Sequence, residues 1–316
     1  MKPGTALIVL FALLPSVMQG QNGYAKSFGF ISDNDLYISI NQDQYYTNGL
    51  TFTLRFVPKN KPAGLLKQVF VIDFGQYMYT PSQDYMVHSG NQDRPFAGYL
   101  FAGFSMERYY TNRGLFKMVF QIGVVGKASQ AESLQKWVHA TFELPQIDGW
   151  EYQIHNQLGL NANFLYFRNI GYTPNRILDF NLFAQAKVGT VFDEAGLGFV
   201  SRIGIFSLHP VDNTILLNSN LNTEKTGTSN SELFIFVKPE LTFVAYDATI
   251  QGSLFNDNSP LTFKPNPFVA SVQIGLKWAS RRFNVGYALF FLSKPVDNDK
   301  VKPHKYGSIM LEYRFN

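Results

Sequence analysis

Few side chains in this sequence can do acid–base or metal chemistry. Cysteine is absent and there are five histidines. Disulfides, thiolate metal sites and a cysteine nucleophile are thereby excluded, and histidine is the side chain that titrates nearest neutrality. His139 stands four residues after Gln135 in the run that begins Ser129-Gln130-Ala131-Glu132. The opening Ser-x-x-Glu spacing is that of a helix capping box. Segment 129–143 therefore reads as a short amphipathic helix, and residues four apart share one of its faces. His139 fits two roles at this stage, a surface or packing histidine or a general base.

A second group brackets the first long loop. Asp33-Asn34-Asp35 ends one alternating segment, and Tyr45-Tyr46-Thr47-Asn48-Gly49 opens the next. A hairpin sets these two ends side by side. Carboxylate, amide and hydroxyl oxygens are hard donors suited to Ca²⁺. Asp and Asn at loop ends are equally ordinary turn chemistry, and the spacing is not that of an EF-hand loop. The sequence has no G-x-S-x-G elbow, so a nucleophilic serine of that kind has no support.

The elements that must position these residues are strands. In 268–278, Phe268, Ala270, Val272, Ile274, Leu276 and Trp278 oppose Val269, Ser271, Gln273, Gly275 and Lys277; segments 178–188 and 116–124 alternate in the same way. Period two with one apolar face is the strand signature. Strands are expected at 25–33, 48–57, 66–77, 97–108, 114–124, 155–168, 177–189, 193–206, 232–246, 266–279, 281–292 and 305–315, an even number. Most are about ten residues or longer, against a mode of roughly five or six in soluble sheets, and about ten is what a tilted strand needs to cross a bilayer. Tight turns are expected at Asp193-Glu194 and Ser280-Arg281. Long loops are expected at 36–46, 78–96, 125–154 and 207–231. Short turns at one rim and long loops at the other is the pattern of an outer-membrane barrel. The last strand alternates Ile309, Leu311, Tyr313 and Phe315 against polar neighbours and stops one residue short of the terminus. A soluble sandwich or lipocalin-like barrel is the competing fold.

Composition agrees. Of 316 residues, 16% are charged and 16% aromatic, against roughly 25% charged in a typical soluble domain. A net charge of +4 without a basic cluster gives no reason to expect a nucleic-acid partner. Met1-Lys2, an apolar run from Ala6 to Met18 and small or polar residues at 19–21 read as a signal peptide cut near Gly20. The alternative, an anchoring helix, needs about 20 apolar residues. The mature chain, 21–316, is expected to form one domain.

Several strings resemble, in order, those of the LpxR-like lipid A 3′-O-deacylases: SDNDLY…QDQYYTNGLTF (32–52), QDRPFAGYLFAG (92–103), GVVGKASQAESLQKWVHATF (123–142), GWEYQIHNQLGL (149–160) and YDATIQGSLF (246–255). The resemblance covers most of the mature chain. It implies an all-β, 12-stranded antiparallel transmembrane barrel in the outer membrane of a Gram-negative bacterium, with a short helix in an extracellular loop. It implies ester hydrolysis that removes the 3′-linked acyloxyacyl group of lipid A, by a histidine-activated water with a Ca²⁺-assisted oxyanion. Carried over residue by residue, the catalytic set is His139, Gln135, Asn34, Asp35 and Thr47, with the assisting cation at Arg94, in an area where a family member has lysine. Asn34 and Asp35 are the expected calcium ligands, with Asp35 holding calcium or orienting the site at the inner face of the wall, in a site that the resemblance puts between the barrel wall and a loop helix near the outer surface. Glu143 does not match in spacing. The resemblance also implies lipopolysaccharide in the outer leaflet as the substrate and a barrel able to act as a monomer. Two other readings stay open: a non-enzymatic porin or structural barrel, and an outer-membrane phospholipase.

Overall fold

The computed structural model describes residues 23–38, 45–82, 92–145, 147–223 and 231–316. The expected signal segment, 1–20, lies outside them. The described residues form twelve antiparallel strands: β1 (Lys26–Asn34), β2 (Tyr45–Phe56), β3 (Leu65–Thr80), β4 (Ala97–Tyr110), β5 (Gly114–Val125), β6 (Gln157–Tyr172), β7 (Leu178–Gly189), β8 (Phe192–Gly204), β9 (Glu232–Asp247), β10 (Phe268–Ala279), β11 (Phe283–Leu292) and β12 (His304–Phe315). Each pairs with its neighbours in sequence, and β1 pairs with β12 from Lys26↔Phe315 to Asn34↔Gly307, so the sheet closes. Closure leaves no sheet edge with unpaired backbone groups, which is what lets strands stand in a lipid phase. No described helix is long and apolar enough to cross a membrane.

Alternation sorts the two faces. Phe28, Phe52, Phe74, Phe104, Phe120, Leu160, Leu182, Phe199, Leu241, Ile274 and Leu311 are exposed on the outside of the wall. A ring of outward apolar residues is the lipid-facing belt of a transmembrane barrel. The inward face carries charge in closed networks. Glu107 takes Arg55 at 3.0 Å and Lys117 at 3.1 Å, and Arg202 takes Asp179 at 2.6 Å and Glu232 at 3.0 Å.

Two expectations about the rims are corrected. The β7–β8 turn falls at Thr190-Val191, and Asp193 and Glu194 belong to β8. The Asp193 carboxylate accepts from the Gly189 N–H at 2.7 Å, so this acidic residue braces the turn from inside the strand. The four long segments also do not share one rim. The strand directions place the described residues 35–38, 81–82, 92–96, 126–145 and 147–156 at one end, and 205–223 and 231 at the other, beside the start of β1, the end of β12 and the short turns at 111–113 and 280–282. That end is the periplasmic one in this architecture.

The described part of the β8–β9 segment folds into the lumen. Leu208, Val211 and Ile215 pack with Phe167, Phe183, Phe234 and Phe236 of the wall in one buried cluster. The Lys67 ammonium donates to the carbonyls of Asp212 and, at 2.8 Å, Ser219. Lys277 donates to Ile215 and Leu216, both at 3.1 Å, and Arg314 to Asn220 at 2.9 Å. Carbonyls of an irregular segment at membrane depth need such donors.

Candidate active site

The site is assembled on the outside of the wall, at the rim opposite the chain ends. Asn34 pairs with Asn48 across the β1–β2 hairpin. Both have the parity of Phe28 and Phe52, so both point outward. This corrects the expected inner-face location: a strand residue with the parity of the lipid-facing belt cannot reach the lumen. The Asn34 side-chain oxygen accepts from the Leu36 N–H at 2.8 Å and caps a single 3₁₀ turn, Asp35–Tyr37. Asp35 is buried at its start, 2% exposed. The turn is held against the outer wall: the Tyr287 hydroxyl donates to the Tyr37 carbonyl at 2.9 Å, and Tyr37 and Ser32 share a hydroxyl hydrogen bond of 2.8 Å. Gly307 permits this approach, since a Cβ there would lie 2.6 Å from the Tyr37 Cβ.

Thr47 reaches the same place through a β-bulge. The β2–β3 register shifts between Tyr46 and Asn48. The extra residue is Thr47, whose hydroxyl donates to the Met78 carbonyl at 3.4 Å. Tyr46 is turned to donate its hydroxyl to Asp33 at 2.8 Å. A bulge of this kind re-aims one side chain at a strand end.

The opposite wall of the cleft is α1 (Ala131–Thr141), an 11-residue helix. It begins and ends two residues inside the expected bounds. The capping box does not form: Gln130 is the N-cap at φ 60, and Ser129 sits in a preceding 3₁₀ turn with its hydroxyl donated to Gly126. Packing overrides the sequence signal here, because Ser129 and Ala131 press onto Gly98 of β4. A Cβ at Gly98 would lie 2.0 Å from the Ser129 Oγ and 2.4 Å from the Ala131 Cβ. Gln76 of β3 donates to the Ser129 carbonyl at 2.5 Å. Further along, the Trp150 indole N–H donates to Gln135 Oε1 at 2.7 Å, with the Trp150 ring 4.9 Å from that of Phe96. Gln135 is thereby fixed with its carbonyl turned to Trp150, leaving the amide N–H₂ as its free donor end.

The helix terminus sets the histidine. Phe142 N–H bonds to Val138 at 3.0 Å and Leu144 N–H to His139 at 2.9 Å, with Glu143 between them at φ 54. This six-to-one closure is a Schellman-type end, usually reserved for glycine because a Cβ disfavours that φ. It folds the chain back so that the Pro145 carbonyl lies 2.5 Å from His139 Nδ1. A carbonyl only accepts, so Nδ1 carries the proton and the Nε2 lone pair is left for chemistry.

Between these walls lies a cleft of about 90 Å³, lined by Asn34, Asp35, Thr47, Asn48, Gln135 and His139 together with Leu36, Leu50, Met78, Leu134, Val138 and Leu144. Five expected residues, His139, Gln135, Asn34, Asp35 and Thr47, are thus brought together. Arg94 is not. It is 2% exposed and donates to the Pro95 carbonyl and to the Thr249 carbonyl and hydroxyl, each at 3.2 Å. It also stacks on Tyr79 at 4.7 Å. Burial lowers its pKa, opposed by Asp247 and Tyr79. It ties the 92–96 segment to the α2 turn (Ala248–Gln251) at the barrel mouth. Glu143 is exposed and serves the helix end.

Gly98, Trp150, Pro145 and the apolar lining are parts of the site that the sequence does not mark. Trp150, one of three tryptophans, lay inside a string singled out without a role. The donor set of Asp35, Asn34, Thr47 and Asn48 is all oxygen, which suits a hard cation in kind. It offers one carboxylate, and Asn34 already spends a lone pair on its cap. Among the described residues no group of three or more His, Asp or Glu converges as a metal site.

A closed twelve-stranded barrel with an outward apolar belt, and a mixed polar and apolar cleft on that outer side, defines an outer-membrane protein. The family model for outer membrane protein LpxR matches residues 6–315, and the chain belongs to that family. Its structure is similar to that of LpxR from Salmonella typhimurium, with TM-score 0.74 and 19% identity over 92% of this chain and 100% of that one. It is less similar to the β-domain of the Bordetella autotransporter BrkA, with TM-score 0.51 and 8% identity over 93% of this chain and 100% of that one. At these identities both likenesses concern the fold. No curated protein sequence matches it.

Proposed function

We propose that this chain is an outer-membrane lipid A 3′-O-deacylase, hydrolysing the 3′-linked acyloxyacyl ester with a water activated by His139. The observation that carries the reading is His139: its Nδ1 is committed to Pro145, and it lines, with Asp35, a cleft that opens on the outer face of the wall. An amphiphile in the outer leaflet reaches such a cleft sideways, without leaving the membrane.

The chemistry follows from the groups present. His139 Nε2 takes a proton from water as the oxygen bonds to the ester carbonyl carbon, and negative charge develops on the carbonyl oxygen. The Gln135 amide N–H₂ is the neutral donor suited to meet it, and preorganised donors of this kind are worth several kcal/mol, on the order of 10²–10³ in rate. Collapse breaks the carbon–oxygen bond to the sugar; the proton on His139 passes to the 3′ oxygen, and the acyl group leaves as a carboxylic acid. Leu50, Met78 and Val138 take the first methylenes of the acyl chain. Asp35, Asn34, Thr47 and Asn48 would hold a Ca²⁺, which would add positive charge beside the oxyanion. Arg94 acts at a distance, by holding the rim.

The filled lumen weighs against the porin reading, since Leu208, Val211 and Ile215 occupy the space a solute would cross. A phospholipase would use the same cleft and differs in substrate. Purified chain in detergent, given lipid A and, separately, a glycerophospholipid, separates the two. Release of the 3-acyloxyacyl acid from lipid A alone supports the deacylase; release of fatty acid from the phospholipid alone overturns it.

A further inference from the structure

On the outer wall at the periplasmic rim, far from the cleft, the β4–β5 hairpin ends short of the β6–β7 hairpin. Arg168 of β6 is level with Gly114, the first residue of β5, while β6 runs on to Tyr172. The step leaves a groove of about 460 Å³, whose lining includes Arg113, Arg168, Tyr166, Ile170 and Leu182. Tyr166, Ile170 and Leu182 are exposed, at 43, 56 and 53%. Arg168 has their parity on β6, so its guanidinium stands on the lipid-facing surface between two apolar side chains. Arg113 projects from the adjoining turn and is exposed, with its guanidinium 5.9 Å from the Tyr172 ring. Neither arginine has a carboxylate within ion-pair distance among the described residues.

An outward arginine on a barrel strand is costly toward the midplane and tolerated at the interface. It is favoured where an anion meets it, and guanidinium forks match phosphate oxygens. We propose that this groove binds an anionic phospholipid of the periplasmic leaflet, its phosphate between Arg113 and Arg168 and an acyl chain along Tyr166, Ile170 and Leu182. The apolar wall and the two unneutralised guanidinium groups require both parts of the ligand. A free phosphate would satisfy only the second. The site is independent of the proposed reaction, because neither arginine touches the cleft.

The test is native mass spectrometry of the full chain, released from detergent and titrated with phosphatidylglycerol. Wild type is compared with Arg113→Gln, Arg168→Gln and the double variant. Arg282→Gln, which removes an exposed arginine of the 280–282 turn on another part of the rim, controls for general charge. A charge-assisted hydrogen bond is worth on the order of tenfold in affinity, so each groove variant should bind about tenfold more weakly, the double variant more weakly still, and Arg282→Gln like wild type. Arg168→Lys, which keeps the charge, should recover part of the loss and guards against misfolding. Equal lipid retention by the double variant overturns the proposal. So does equal loss in Arg282→Gln, or displacement of the lipid by inorganic phosphate at matching concentration.

Discussion

The Nδ1 atom of His139 lies 2.5 Å from the carbonyl oxygen of Pro145, six residues along the chain. The contact exists because the helix ends at Thr141 and turns back through Glu143 at φ 54. Helix termination thus selects the tautomer of the proposed base. Glu143 pays about 1–2 kcal/mol for a conformation that glycine adopts freely. Glu143→Gly should keep activity and raise the thermal midpoint slightly. Glu143→Val should lose the turn and most of the activity while the barrel still migrates as a folded, heat-modifiable species on gels. Full activity in Glu143→Val would show that the turn does not position His139.

Gly98 is the floor on which α1 rests. A Cβ there would meet the Ser129 Oγ at 2.0 Å and the Ala131 Cβ at 2.4 Å. Gly98→Val should lift the helix by about an ångström, and misplacement on that scale costs on the order of 10²-fold in rate. Steady-state assay of the folded variant checks this. An unchanged kcat would mean that the helix position does not limit the reaction.

Trp150 acts on Gln135 from behind, through the 2.7 Å bond to its side-chain oxygen. Trp150→Phe keeps the ring against Phe96 and removes the donor. Losing a buried hydrogen bond costs about 1–3 kcal/mol. If Gln135 meets the oxyanion, the loss should fall on kcat more than on KM. A rise in KM alone would place Gln135 in substrate binding instead.

A calcium site with one carboxylate should be weak, since affinity follows ligand charge and rigidity. Chelation with EGTA should abolish activity and millimolar Ca²⁺ should restore it. Asp35→Asn should raise the calcium concentration needed for half-activity by more than tenfold. Activity that survives chelation in both proteins would remove the metal from the mechanism.

Arg94 should behave as part of the scaffold. Arg94→Gln breaks its bonds to Pro95 and Thr249. It should lower the temperature at which the barrel unfolds on heat-modifiability gels and leave kcat within about threefold below that temperature, a surface-like effect on rate at a distance from the reacting atoms. A hundredfold fall in kcat at unchanged stability would restore Arg94 to the reacting group.

The strands were legible because a lipid-facing surface forces period two over long runs; Phe268–Ala279 and Leu178–Gly189 fall within one or two residues of the expected bounds. The polar groups of the site were legible as types. Their placement was not. The Thr47 bulge shifts register by one residue, which alternation over a short segment does not resolve. The Ser129–Glu132 spacing promised a cap that contact with Gly98 displaced. The luminal segment was hidden for a different reason: Lys67, Lys277 and Arg314 read as a polar interior face whether water or protein fills the barrel.

The proposed mechanism turns on His139 as the base of a lipid A deacylase. Mass spectrometry of lipid A from cells expressing the chain, beside cells expressing His139→Ala, decides it. Removing a general base costs on the order of 10²–10⁴ in rate. Wild type should produce lipid A lacking the mass of the 3′-acyloxyacyl group, and His139→Ala, assembled in the membrane at equal level, should leave lipid A intact. Deacylated lipid A in both would contradict the role of His139, and intact lipid A in both would contradict the deacylase itself.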